Sequence, residues 1–380
     1  MNKVAIILIN YKDYAQRFLG GCIESLRKVK FSSGEFKIFI VDNETSEQTR
    51  KTIREIAPEA IVIPCETNSG YTGGNNLGMR EAEKWGADYF CLLNMDTEVD
   101  ENFLEEALKV YQSDPKIGLV QSRLMLFNDK EKINSMGNRL HFLGFGFCDK
   151  YQEKFRNPKS EILNNLPNPK SEIRSPMFRD SDLDIRICPP AADIIYPSGA
   201  AVLISAEKLK QIGYFTDELF MYLEDAEWGW KSRLFGFRNV LAINSIVYHK
   251  YEFSRSSSKF YWIERNRQIV PLMCYHWLTL ALLFPAWLVM ELGMLIISLA
   301  GNWFLAKINA YKWFLNLNNL KKLLKWRKAV QARRCQPDWL IVRDFAGKIE
   351  YQEASNGLFT SIGNSILNVY WQIVKKIMIW

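Results

Sequence analysis

Histidine is scarce in this 380-residue chain, with three residues, and its seven cysteines are dispersed with no C-x-x-C pair. Zinc centres and dithiol redox sites usually need such clustered ligands, so the sequence gives no support for either. An odd number of scattered cysteines is typical of reduced, mostly buried thiols in a cytosolic protein. The first apolar run, VAIILI, is only six residues long and leads into NYKD, which predicts a β-strand and no signal peptide.

Two common phosphate-binding sequences are missing. The glycine-rich segment NSGYTGGNNLGMREA at 68–82 has neither a G-K-[ST] ending nor G-x-G-x-x-G spacing, which counts against ATP hydrolysis and dinucleotide redox chemistry. Its glycines, Gly70 among them, permit close approach of backbone to a ligand, and Asn68 and Asn75 offer neutral hydrogen bonds. The alternative is a glycine-rich turn that caps a helix.

A broad excess of positive charge is also absent. The net charge of +7 arises between Lys307 and Arg334, which contain nine basic residues and no acidic one, whereas the other 352 residues carry 40 basic and 42 acidic side chains. One local basic patch argues against a nucleic-acid-binding face.

Four short β-rich runs alternate with amphipathic stretches over residues 1 to about 120, which predicts an α/β fold with a parallel, doubly wound sheet. Ligands of such sheets bind beyond the carboxyl ends of the strands. The predicted strand ends are polar here: Asn10 and Tyr11, Asp42 with its neighbour Asn43, and Asn94 to Asp96.

Asp96 follows the apolar run in LLNMDTEVD and could hold Mg²⁺ or Mn²⁺, because hard cations take oxygen ligands and leave room for phosphates. Capping of the following helix is the alternative, although Asp100 is free to serve there.

Two later segments carry further candidates. In MYLEDAEWGW, Glu224 and Asp225 lie among aromatic residues, a setting that raises a carboxyl pKa and suits a general base, or they simply begin a helix. His249 follows a strand and precedes Arg255 and Arg265, donors suited to a diphosphate or to lipid headgroups.

Residues 150–190 lose all periodicity and contain the hexamer NPKSEI twice, which predicts a mobile insertion loop. Between Trp277 and Ala306 the only ionisable residue is Glu291, so this run is long enough to cross a bilayer. Basic flanks at Arg265, Arg267, Lys307 and Lys312, with Pro285 and Gly293 as places to bend, favour a re-entrant or in-plane hairpin over one crossing.

Two amphipathic stretches follow the apolar run. The predicted apolar faces are Trp313, Leu317, Leu320 and Leu324 in the first and Ile366, Tyr370, Ile373, Ile377 and Trp380 in the second. Basic amphipathic helices with tryptophans suit an anionic membrane surface, whereas core-packing helices of a second domain are the alternative.

The order of these segments resembles the family 2 inverting glycosyltransferases of the GT-A fold, over about residues 3–267, and within them the rhamnosyltransferase-like branch that builds bacterial and archaeal surface polysaccharides. The resemblance rests on LINYKD, IVDN, an N-x-G-[FY]-x-x-G-N-N match at 68–76, LLNMD with Met95 in place of the usual proline, SGAAVLI at 198–204 and EDAEWG.

The resemblance implies a role for each segment. Asp42 would read the nucleotide base, Asp96 and His249 would bind the metal, and Asp225 would be the catalytic base. Ser198, Gly199 and Ala200 would lie beside donor sugar and acceptor.

The resemblance also implies a division into a GT-A domain at 1–267 and a membrane-associated helical region at 268–380. The donor would be a nucleotide sugar, with dTDP-rhamnose the expected one and a UDP-sugar the alternative. The acceptor would be a lipid-linked saccharide at the cytoplasmic face of the cell membrane. A nucleotidyltransferase and a non-catalytic membrane-bound binding protein with a degenerate transferase fold are the competing readings.

Overall fold

The computed structural model describes residues 1–155, 191–251, 257–349 and 358–380. Both copies of NPKSEI, most of the predicted insertion loop and Arg255 lie outside these ranges, so the predictions made for them stay predictions.

A mixed β-sheet runs in the order β10-β12-β6-β11-β4-β1-β2-β3. The strands are β1 (Asn2–Tyr11), β2 (Gly34–Asn43), β3 (Ile61–Cys65), β4 (Tyr89–Leu93), β5 (Thr97–Val99), β6 (Ile117–Leu126), β7 (Ile133–Ser135), β8 (Asn138–Leu140), β9 (Gly146–Cys148), β10 (Ala191–Asp193), β11 (Ala201–Ser205) and β12 (Arg238–His249). The first four are parallel neighbours, and β11 lies antiparallel between β4 and β6. The predicted α/β class and doubly wound mixed sheet are confirmed.

Helices cover the sheet and then form a separate C-terminal group. They are α1 (Gly20–Leu26), α2 (Glu47–Ile56), α3 (Gly70–Trp85), α4 (Phe103–Gln112), α5 (Ala206–Ile212), α6 (Glu224–Leu234), α7 (Ser257–Cys274), α8 (Trp277–Ala300), α9 (Phe304–Leu315), α10 (Leu317–Arg333), α11 (Asp338–Val342) and α12 (Leu358–Ile377).

Alternation along β1 explains why both faces of the sheet are covered. Val4, Ile6 and Leu8 join a core that includes α1 and α4, whereas Ala5 and Ile7 join the core on the α3 side. Successive side chains of a strand point to opposite faces, so each face of β1 needs its own layer of helices.

The glycine-rich segment is helical almost from its start, since α3 begins at Gly70. A Cβ at Gly78 would lie 2.6 Å from Cγ2 of Ile7, and one at Gly74 would lie 3.1 Å from Cδ1 of Ile9. These two glycines therefore let α3 pack closely on β1, and the prediction that they admit a ligand is wrong for this pair.

The C-terminal helices share a core with the β8–β9 hairpin and α6. Trp371 of α12 stacks on Phe142 with ring centroids 4.7 Å apart, and Trp230 of α6 packs edge-on against Phe345. The predicted domain boundary at 267 falls inside α7. The division at this residue remains a prediction.

A buried ion network joins α7, α8 and α9. Arg267 donates to Glu264 at 2.7 Å and to Glu291 at 2.6 Å, while Lys307 pairs with both carboxylates and lies 2.6 Å from Glu291. Tyr311 donates its hydroxyl to the same glutamate at 2.7 Å. Arg267 and Lys307 are thus internal partners of Glu291, and their prediction as basic flanks at a membrane is wrong.

By length and composition, α8 is a helix that could cross a membrane, the one candidate among the described residues. It is one continuous helix through Pro285 and Gly293, so the chain does not fold back into a hairpin at either residue. Large apolar side chains project from it into solvent: Trp277, Leu278, Phe284, Leu288, Val289, Leu292, Ile296, Ile297 and Leu299.

The two predicted amphipathic faces also differ from the structure. Asn316 ends α9 and caps α10, so Trp313 and Leu317 belong to different helices, and Leu324 is exposed. In α12 the buried face is Leu367, Trp371 and Val374, continued by Met378 directly after the helix, whereas Ile366, Ile373 and Ile377 of the predicted face are exposed. This helix is therefore apolar on two sides and packs with only one.

Candidate active site

Four chain segments meet at one edge of the sheet, and the segment 198–200 lies between the others. The backbone N–H of Asn94 donates to the carbonyl oxygen of Ala200 at 2.9 Å. The N–H of Gly199 donates to Oδ2 of Asp225 at 3.4 Å. The end of β4 and the start of α6 are therefore joined through one short stretch before β11.

Asp96 and His249 come together although 153 positions separate them in the numbering, because β12 pairs with β5 directly after Asp96. Oδ1 of Asp96 lies 3.3 Å from Nε2 of His249. The other ring nitrogen, Nδ1, lies 2.9 Å from Oδ1 of Asn134. In the tautomer that carries its proton on Nδ1, the amide oxygen of Asn134 accepts from that nitrogen and Nε2 presents a lone pair toward Asp96.

This pair fits a divalent cation. Oδ1 of Asp96 is buried without a hydrogen bond, and Nε2 of His249, a nitrogen that can bind a metal, faces it at 3.3 Å. No group of three or more His, Cys, Asp or Glu residues is poised around a metal in the described part of the chain. Two protein ligands are what Mg²⁺ or Mn²⁺ needs when phosphates and water supply the rest.

Asp225 and Glu224 occupy the first turn of α6. Burial raises the pKa of Asp225 to about 6, although the N–H groups of Ala226 and Gly199 lower it in part. Burial, and then the neighbouring Asp225, raises the pKa of Glu224 well above its usual range. Asp225 is the less buried of the two, and a pKa near 6 suits a general base at neutral pH.

The third acid of this segment, Glu227, is structural. It is fully buried, pairs with Lys231 at 2.8 Å and accepts a hydrogen bond from Thr216 at 3.0 Å.

Three residues predicted to contact a nucleotide are buried in the protein instead. Asn10 donates to Asp42 at 2.7 Å, and the other oxygen of Asp42 accepts from Thr45 and Thr49, both at 2.6 Å. Asp42 is fully buried with both oxygens occupied, and Asn75 is 1% exposed. Their side chains brace the loops around the strand ends, and direct contact of these three residues with a nucleotide stays a prediction.

The remaining predicted contacts lie nearer the surface. Tyr11, Asn68 and Asn94 are half-buried at the ends of β1, before α3 and after β4. Gly70 has a φ of 70°, a conformation that favours glycine, and begins α3 against Phe220. Asn68 accepts a hydrogen bond from the N–H of Gly70 at 2.9 Å. These four residues stay candidates for donor binding.

Arg265 does not point at a diphosphate. It is 3% exposed, donates to the carbonyl oxygens of Glu218 and Leu219 and to Oδ1 of Asn266, and its guanidinium lies 4.4 Å from the ring centroid of Trp262. Nε and Nη2 are thus used inside the fold, and the binding of phosphate by Arg265 stays a prediction.

Three residues of the site escaped sequence reasoning. Asn134 holds His249, Gln121 accepts from the N–H of Ser198 at 2.7 Å, and Tyr71 donates to the carbonyl of Gly199 at 2.6 Å. Tyr71 belongs to the quoted glycine-rich segment, whereas nothing in the local sequence marks Asn134 or Gln121.

Comparison with known proteins places this geometry in context. The family model Glycosyl transferase family 2 matches residues 5–176. The low-salt glycan biosynthesis hexosyltransferase Agl10 of Haloferax volcanii is 22% identical over 239 residues, which are 61% of this chain and 62% of the relative. The chain thus spans less than two thirds of that protein's length.

Two solved structures are similar in shape. The crystal structure of GalNAc-T7 with UDP, GalNAc and Mn²⁺ aligns with a TM-score of 0.51 and 13% identity, over 72% of this chain and 48% of that one. S. aureus TarS 1-349 in complex with UDP aligns with a TM-score of 0.47 and 14% identity, over 98% of this chain and 90% of that one. The likeness to GalNAc-T7 shows a shared fold.

Proposed function

We propose that this chain, which carries a family 2 glycosyltransferase domain, transfers a sugar from a nucleotide sugar to an acceptor hydroxyl with inversion at the anomeric carbon. The observation that supports this most is the pair of carboxylate sites on two sides of the segment 198–200. Asp225 bonds to Gly199, and Asp96 follows the strand end that bonds to Ala200. One carboxylate can accept a proton, while the other can hold a cation that neutralises a departing diphosphate.

In the proposed reaction, Asp225 takes the proton of the acceptor hydroxyl as that oxygen attacks the anomeric carbon. The bond between the anomeric carbon and the diphosphate oxygen breaks, and the nucleoside diphosphate leaves with the electron pair. Glu224 lies beside this base and has an oxygen, Oε2, with no hydrogen-bond partner. Because burial and the charge of Asp225 raise the pKa of Glu224 well above its usual range, Glu224 keeps its proton while Asp225 is ionised.

Asp96 and His249 would hold Mg²⁺ or Mn²⁺, which supplies positive charge that neutralises the diphosphate. Asn134, with Oδ1 at 2.9 Å from Nδ1, would orient the ring of His249 so that Nε2 faces that site. The GalNAc-T7 structure contains UDP and Mn²⁺, which supports a metal of this kind.

For the donor we propose dTDP-rhamnose, on the resemblance of the ordered motifs to the rhamnosyltransferase-like branch. A UDP-sugar is the second candidate, because the GalNAc-T7 structure contains UDP. The half-buried Tyr11, Asn68 and Asn94 are the residues that would contact the nucleotide.

We further propose that the chain docks on the cytoplasmic face of a membrane with α8 lying in the plane of the bilayer. Glu291, near the middle of α8, is bonded to Arg267 of α7 and Lys307 of α9. A helix that crosses the bilayer could not keep its centre against two helices of the globular domain. Its outward face remains apolar, as an in-plane helix requires.

The exposed face of α12 extends this surface. The hydroxyl of Tyr370 donates to the carbonyl of Leu282, and Nε1 of Trp380 donates to Oγ1 of Thr279 at 2.9 Å, so α12 lies beside α8. Lys376, on α12 next to the exposed Ile377, is itself exposed and suits anionic headgroups. A surface of this kind brings the site to a lipid-linked saccharide, which we propose as acceptor.

The products test the reaction. The protein is incubated with dTDP-rhamnose, UDP-GlcNAc or GDP-mannose and Mn²⁺, first in a thermal-shift panel and then in an assay of released phosphates. A donor that binds raises the melting temperature through mass action. Release of nucleoside diphosphate supports the proposal; release of pyrophosphate would identify a nucleotidyltransferase, and no turnover with any donor would favour a binding protein.

Membrane docking is tested with vesicles of phosphatidylcholine and phosphatidylglycerol. Leu292→Glu and Ile373→Glu each place a charge on the exposed apolar face, whereas Ile61→Glu places one on an exposed strand residue elsewhere. Since burial of such a side chain is worth about 1.5–3 kcal/mol, we expect each of the first two variants to sediment about tenfold less well than wild type. Equal binding by all three variants would contradict the in-plane arrangement.

A further inference from the structure

The loop directly before Asp225 has an unusual backbone. Phe220, Tyr222 and Leu223 have φ angles of 64°, 66° and 64°, although none is glycine. Side chains with a Cβ rarely adopt positive φ, and such residues persist where their surroundings hold them. Because Leu223 is the residue that leads into α6, the conformation of this loop fixes where the first turn of the helix begins.

One side chain of α7 holds that loop. The amide nitrogen of Asn266 lies 2.8, 2.9 and 2.7 Å from the carbonyl oxygens of Leu219, Met221 and Tyr222. Asn266 is fully buried, and its two N–H bonds are shared among the three carbonyls. Both donors of the Asn266 amide are therefore used to hold the backbone of the loop.

The residues around Asn266 reinforce this arrangement. Arg265 donates Nε and Nη2 to Oδ1 of Asn266, at 3.0 and 2.8 Å, which orients the amide so that its nitrogen faces the loop. The ring of Phe220 stacks on Trp262, with centroids 4.4 Å apart. From the opposite side, the N–H of Thr72 donates to the carbonyl of Phe220 at 3.1 Å.

We propose that Asn266 is a positioning residue for Asp225, acting through the loop 219–223. This inference rests on the proposed function, in which Asp225 accepts the acceptor's proton. Without the three hydrogen bonds the loop relaxes toward negative φ, α6 begins at a different point, and Asp225 moves relative to Gly199 and the bound acceptor. Asn266 touches no substrate in this scheme, so its loss acts on turnover more than on donor affinity.

The test uses Asn266→Asp, which keeps the size of the side chain and replaces the donating NH₂ by an acceptor. A matched control is Asn239→Asp, because Asn239 is equally buried and donates to two carbonyls, those of Ile195 and Gly229, outside the loop. With the donor that supports turnover, we expect Asn266→Asp to lower kcat by about 10²-fold, since small displacements of a reacting group have effects of this size. The KM for the donor should stay near that of wild type.

A rescue variant separates positioning from general destabilisation. Glycine adopts positive φ freely, so Leu223→Gly in the Asn266→Ala protein should recover part of kcat without raising the melting temperature to that of wild type. Two results would overturn the inference: a fall in kcat no larger than in the Asn239→Asp control, or a rise in donor KM at unchanged kcat. If neither Asn266 variant folds, hydrogen exchange is measured instead in Tyr222→Gly, which leaves Asn266 unchanged. Amide exchange of the peptide 215–225 should then be slower than in wild type if the positive φ of Tyr222 is strained.

The Asp225→Asn protein distinguishes failure of the positioning role of Asn266 from failure of the proposed function. If Asp225→Asn retains wild-type turnover, the proposed base is wrong whatever Asn266 does. If Asp225→Asn is inactive while Asn266→Asp is fully active, only the positioning role of Asn266 is refuted.

Discussion

Replacing Asp225 by asparagine should remove activity and at the same time stabilise the protein. Burial holds the pKa of Asp225 at about 6, whereas an unhindered aspartate has a value of 3.8. Because the folded-state pKa is the higher one, ionisation opposes folding. The cost is absent below pH 3.8, grows as the pH rises to about 6, and is complete above it.

The size of this cost follows from the two pKa values. It is about 3 kcal/mol at pH 7.5 and about half of that at pH 5. Asparagine carries no charge to desolvate, so we expect Asp225→Asn to raise the free energy of unfolding by up to about 3 kcal/mol at pH 7.5 and by less at pH 5. Loss of a general base should lower kcat by about 10²–10⁴-fold.

Urea unfolding at the two pH values measures the stability, and release of nucleoside diphosphate measures the activity. Asp129→Asn is the control, because the ammonium of Lys132 lowers the pKa of that carboxyl and the substitution should have a small effect of opposite sign. The wild-type kcat/KM should fall about tenfold for each pH unit below about 6. The reasoning is refuted if the gain in stability of Asp225→Asn over wild type is no larger at pH 7.5 than at pH 5, or if the variant keeps activity within tenfold of wild type.

Three further predictions concern other parts of the fold. His249→Ala should abolish the extra thermal stabilisation that Mn²⁺ gives in the presence of donor, while the donor alone still binds weakly; an unchanged metal effect would speak against this ligand. Lys307→Met should lower the free energy of unfolding by about 3–5 kcal/mol, because two buried glutamates lose a partner, whereas Lys312→Met, at an exposed lysine, should not. Gly78→Ala should destabilise by about 1–3 kcal/mol through contact with Ile7, as urea unfolding would show, whereas Gly20→Ala, with open space around it, should not.

Local patterns were enough to predict β1 to β4 and the neighbourhood of the candidate site, although not β6 in the middle of the sheet. β1 reads as an apolar run, and the strand ends at Asn10, Asp42 and Asn94 are polar in the sequence. A sheet built from strand–helix units brings such ends to one edge, so the class of fold and the general place of the site follow from the periodicity alone.

The sequence by itself also determined that Asp96 and Asp225 are carboxylates beside an apolar strand and an aromatic segment. It could not determine which polar residues at the strand ends face a ligand. Asn10, Asp42 and Asn75 are of the same residue types as exposed candidates, and only packing showed that their hydrogen bonds are used within the protein. Burial depends on contacts between segments that are distant in the sequence, and local patterns carry no information about those contacts.

Tertiary structure decided the roles of the charges in the C-terminal region. Arg267, Lys307 and Glu291 read in sequence as the flanks and the one interruption of an apolar run. In the fold they neutralise each other, because α7, α8 and α9 pack side by side and bury all three. The same holds for Asn134 and Asn266, which no motif singles out. Asn134 lies within 3 Å of the ring of His249, and Asn266 lies within 3 Å of three loop carbonyls.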